Sequence, residues 1–108
     1  MATLYRAMSD AEYLDYNNSN QFNTAINTLE AKQFFKSRIA VREFVKSAVE
    51  QNYYPPYTHL LIITVDDQQL NAIHVDKMDL DGFEAISVPE DQLPVFNNCI
   101  TFVNEARL

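Results

Sequence analysis

The chain has 108 residues, a formal net charge of −7 and a sequence pI of about 4.6. That length holds one domain, residues 1–108, with one core and little material for elaborate loops. The acid excess excludes a phosphate-tracking nucleic-acid binder, which needs a basic stripe, and the 47% hydrophobic content with 7 Phe and 6 Tyr excludes a disordered chain.

No apolar run approaches the roughly 20 residues of a membrane-spanning helix. The longest, Leu60-Leu61-Ile62-Ile63, is strand-sized. The N-terminus carries no basic segment followed by a long apolar one, so no secretory signal is expected. Cys99 is the only cysteine, which rules out an internal disulfide and fits a reducing, cytoplasmic setting.

In chain order, Leu4 to Met8 reads as a first strand with Leu4, Arg6 and Met8 on one face. Ser9-Asp10-Ala11-Glu12 reads as a capping box, Glu12 reaching back to the cap, with Met8 and Tyr13 at the staple positions. The helix it opens covers residues 10–17 and ends in the turn-forming Asn17-Asn18-Ser19-Asn20. Residues 21–31 show no clean period and read as loop. Gln33-Phe34-Phe35 is a short second strand, and Ser37 caps the next helix.

That helix, residues 38–51, is the clearest in the chain. Ala40, Phe44 and Ala48 form one column, and Val41, Val45 and Val49 the adjacent one. Tyr53-Tyr54-Pro55-Pro56-Tyr57 then forces an extended connection. His59 to Val65 is a continuous apolar strand placed inside the sheet. Residues 66–70 read as a turn, up to one helical turn, and the run Asp76 to Gly82 as a solvated acidic loop.

The sole glycine, Gly82, marks a tight turn into a strand from Phe83 to Val88. Pro89 to Phe96 is a turn with helical character, limited by Pro94, and Cys99 to Val103 is the last strand. The fold class is therefore α+β: a single small domain, with a mixed or antiparallel sheet of about 4–6 short strands and two main helices.

Several standard sites are absent from the sequence. One glycine cannot build a P-loop or a dinucleotide-binding turn. His59, His74 and Cys99 lack metal-ligand spacing, so no metal is assigned. Aligning Gly82 to the sixth position of a calcium loop puts Lys77 and Val88 where oxygen donors belong, so that match fails. Arg6, Glu84 and the aromatics remain. Glu84 stands in an otherwise apolar strand, where a carboxylate needs solvent or a partner. Two readings stand: a salt bridge or two surface charges, or a cleft in which Arg6 binds an anion and Glu84 stabilises a developing cation.

Three segments, in order, resemble the ADP-ribosyltransferase-like fold family of bacterial toxins and their small relatives. They are Leu4-Tyr5-Arg6 with Met8-Ser9 and Glu12-Tyr13; Leu29-Glu30-Ala31-Lys32-Gln33-Phe34-Phe35; and Phe83-Glu84-Ala85 with Val88-Pro89-Glu90-Asp91, Leu93 and Phe96-Asn97. The resemblance implies NAD as co-substrate and cleavage of its N-glycosidic bond. It gives Arg6 the NAD-binding role, Glu84 the catalytic one, and Phe34, Phe35 or Tyr57 the stacking on nicotinamide. The chain departs from the family in having no Ser-Thr-Ser-like strand and Ala31 in place of a glycine. Those departures point to a reduced or inactive member. The alternative reading is a non-catalytic, acidic protein-interaction or regulatory module, whose capture of a protein partner weakens with salt. A third is oligomerisation through an exposed sheet edge.

Overall fold

A computed structural model of the chain describes residues 1–23, 31–54, 56–80 and 82–107. Most of the segment read as loop at 21–31, and Pro55 and Asp81, lie outside the described residues. Six strands and four helices follow in the order β1 (Ala2–Met8), α1 (Asp10–Ser19), β2 (Lys32–Phe35), α2 (Arg38–Glu50), β3 (His59–Val65), α3 (Asp67–Asn71), β4 (Asp76–Leu80), β5 (Phe83–Val88), α4 (Leu93–Cys99) and β6 (Ile100–Arg107). The sheet is antiparallel throughout, with strand order β4-β5-β2-β1-β3-β6. The domain is α+β, and β3 lies inside the sheet between β1 and β6.

Local chemistry sets the helix ends. Ser9 Oγ accepts from the Glu12 amide at 3.3 Å, and Ser37 Oγ from the Ala40 amide at 3.1 Å. α1 runs through Asn17 and Asn18 and stops at Asn20, whose φ of 57° is the left-handed C-cap that asparagine tolerates. Only half of the expected capping box forms, because the Glu12 side chain turns to Arg6 instead.

The two sheet faces bury different cores. On one, Leu4, Met8, Phe34, Leu61, Ile63, Ile86 and Val88 pack with Tyr16 of α1 and with Leu93, Phe96 and Cys99 of α4. On the other, Ala40 and Val41 of α2 close over Ala7, Phe35, Leu60 and Ala85, with Phe44 and Val45 beside them. The predicted stripe of α2 holds over that stretch, but Val49 is 68% exposed because the helix outruns the sheet beneath it.

Two elements differ from expectation. The acidic run from Asp76 is a strand, β4, paired residue by residue with β5 from Asp76↔Ser87 to Leu80↔Phe83. Gly82, at φ +86°, makes the turn between them, and its amide donates to Asp79 Oδ1 at 2.7 Å. Cys99 ends α4 rather than starting a strand. It is a core residue, and burial pushes its thiol up. Among the described residues, no helix is long and apolar enough to cross a membrane.

Candidate functional site

Arg6 lies where β1 and β2 meet over one register pair, Tyr5↔Phe35. Its guanidinium bridges the two strands: Nη1 donates to the Gln33 carbonyl at 2.9 Å. Nε and Nη2 grip Glu12 of α1 in a bidentate pair at 2.6 and 2.9 Å. The cation also stands 5.7 Å from the centre of the Phe34 ring. Lys32 Nζ, nearly buried, comes within 3.6 Å of the same carboxylate. Burial alone would raise the Glu12 carboxyl, but the Arg6 bonds and the Lys32 charge outweigh it and hold it below the usual carboxylate range.

Beside this cluster is a cavity of about 280 Å³, with Arg6, Ser9, Glu12 and Gln33 on its polar side. Its other wall is aromatic. Phe35 and Phe44 lie 5.1 Å apart, Phe44 and Tyr57 5.6 Å apart, and Tyr53 stacks on Tyr57 at 5.3 Å with the rings 9° from parallel. Burial, then the hydrogen bond to Tyr53, pushes the Tyr57 hydroxyl up to about 12, so it stays a neutral phenol.

The structure therefore brings together Arg6, Phe35 and Tyr57 of the expected residues. It does not bring Glu84 to them. The pairings Tyr5↔Phe35↔Ala85 place Arg6 in the row of Phe34 and Ile86, and Glu84 two rows along. At two strand spacings and two residues, their backbones lie roughly 12 Å apart. The buried side chains of Phe34 and Ile86 fill the space between. Glu84 is exposed and does not line the cavity, and among the described residues its side chain has no partner. Phe34 is corrected too: at 0% exposure it is a core ring with no free face for a cofactor.

Sequence reasoning does not single out Glu12, Lys32 or Tyr53 as site residues. Glu12 carries a signal, since β1 ends at Met8 and α1 begins at Asp10, so the chain doubles back and a carboxylate six positions on reaches Arg6. Lys32 carries another, a cation two residues before the apolar pair Phe34-Phe35.

Pockets for small-molecule ligands run from about 300 to 1,000 Å³, and this cavity, at about 280 Å³, stands at the bottom of that range. Its one cationic fork is already engaged by Glu12 and Gln33. Among the described residues its one carboxylate is paired with two cations, which leaves little charge to stabilise an oxocarbenium ion. No family model, curated protein or solved structure matches the chain.

Proposed function

We propose that the chain is a catalytically silent interaction module that takes an extended segment of a partner protein along the free edge of β6. One observation carries this reading: β6 ends the sheet as an eight-residue strand whose outer side is unpaired among the described residues and whose first five residues, Ile100 to Asn104, carry no charge. Such an edge is a template for an added strand. Phe102 is 64% and Val103 37% exposed on it.

The opposite edge is guarded. β4 carries Asp76, Lys77 and Asp79 within five residues, which discourages pairing. On β6 the Glu105 amide turns away from β3 to Asn104 Oδ1 at 2.9 Å, so by alternation the Val103 amide also faces outward. Alongside runs a groove of about 540 Å³ between α1 and β6, walled by Tyr13, Tyr16, Asn17, Asn20 and Asn97. Tyrosine faces and amide groups suit a peptide's apolar side chains and its backbone. Glu105 is the one charged residue in that lining, and its carboxylate accepts from the Tyr13 hydroxyl. The interface thus carries little charge, and the acid excess serves solubility instead.

The test compares immobilised wild-type protein with Val103→Pro. Proline removes an outward donor that makes no bond to β3, so the fold stands. The partner should stay on the wild type at high salt and be lost from the variant. Equal capture by both, or release from the wild type by salt, contradicts the reading.

A further inference from the structure

We infer that a second cavity, on the sheet face that carries α3, binds a small amphipathic anion: a carboxylate or sulfonate on a compact apolar body. The cavity measures about 580 Å³, inside the range of small-molecule sites. It exists because α3 is five residues long and covers only part of the sheet beneath it. Leu4, Leu70, Ile73 and Ile86 give it apolar walls, and Lys36 and Lys77 contribute ammonium groups.

The charge pattern selects the ligand. Both lysines are exposed, and neither forms an ion pair among the described residues. The one carboxylate in the lining, Asp67, is already held by the N-terminal ammonium at 2.7 Å. Glu84 shares this face one step along β5 from Ile86 but stays outside the lining. An apolar interior with two unmatched cations favours a ligand having both parts. A neutral apolar molecule leaves the lysines unused. A bare anion gains only screened contacts at exposed lysines and is repelled at a distance by the net charge of −7. The site lies on the β1–β2–β5–β4 part of the sheet, away from β6, and does not depend on the docking reading.

The test is a fluorescence titration of the whole protein with 8-anilinonaphthalene-1-sulfonate, beside its uncharged parent N-phenyl-1-naphthylamine. One saturable site is expected for the sulfonate, with the parent much weaker. Lys36→Glu and Lys77→Glu should each weaken binding about tenfold. Both positions are exposed and free of ion pairs, so the variants keep the wild-type melting curve, which is measured alongside. Ile73→Trp, which fills the cavity, should abolish binding, and octanoate should displace the probe. No saturable binding, binding unchanged by both lysine variants, equal binding of the parent, or displacement by millimolar inorganic phosphate would each overturn the inference.

Discussion

Arg6 is held by four groups at once: two oxygens of Glu12, the Gln33 carbonyl and the Phe34 ring. With Lys32 also beside Glu12, this cluster fastens β1, β2 and α1 together. Removing the carboxylate takes the bidentate partner from Arg6 and an ion-pair partner from Lys32. Glu12→Gln should therefore destabilise the fold by about 3 kcal/mol in urea unfolding, the lower end for a broken buried pair. The lower end applies because the partners remain 16% and 23% exposed. The pH dependence follows from the direction of the Glu12 shift. A carboxyl lowered in the folded state contributes stability that is whole above its unfolded value, about 4.3, and is lost as pH falls through the folded one. Acid titration of stability should show that loss below about pH 4 in the wild type, and Glu12→Gln should lack this component. Glu84→Gln, at an exposed side chain without a partner among the described residues, should change stability by no more than about 0.5 kcal/mol. Alternation along a strand gives a residue's face but neither strand order nor row. That is why the face of Glu84 is legible from the sequence and its row is not, while only the resemblance places Phe35 and Tyr57 beside Arg6.

Elements whose signals are local are legible in the sequence. The caps Ser9 and Ser37, the stripe of α2, and β5 from Phe83 to Val88 all depend on neighbours within a few residues. β4 is not legible in this way, because Asp76-Lys77-Met78-Asp79 has no apolar alternation. An edge strand needs no two-sided burial and is held by its ladder to β5. The continuation of β6 to Arg107 escapes sequence reasoning for a related reason, since the alignment with all of β3 extends it, not its own residues. The hairpin from β4 to β5 turns on Gly82. A Cβ there would meet open space, so Gly82→Ala should cost about 1 kcal/mol, from the positive φ alone. A loss of several kcal/mol in denaturant unfolding would show that the turn is packed more tightly than this geometry allows. Val103→Pro, by contrast, should lower the melting temperature by only a few degrees, because it touches the unpaired side of its strand.

Across the whole molecule, helices on both faces of one antiparallel sheet leave the two edges unequal. β4 bears alternating charge, while β6 offers a partly apolar rim, uncharged from Ile100 to Asn104, beside a groove with one charged residue, Glu105. The cluster at Arg6 ties elements together, and the rim is the edge proposed to take the partner segment. The most direct measurement is hydrogen–deuterium exchange by NMR, on the protein alone and with its captured partner bound. The outward amide of Val103 should exchange quickly alone and become protected in the complex, with α2 and the Arg6 cavity unchanged. Protection that falls on the Arg6 cavity, with the Val103 amide still exchanging freely, would contradict the account.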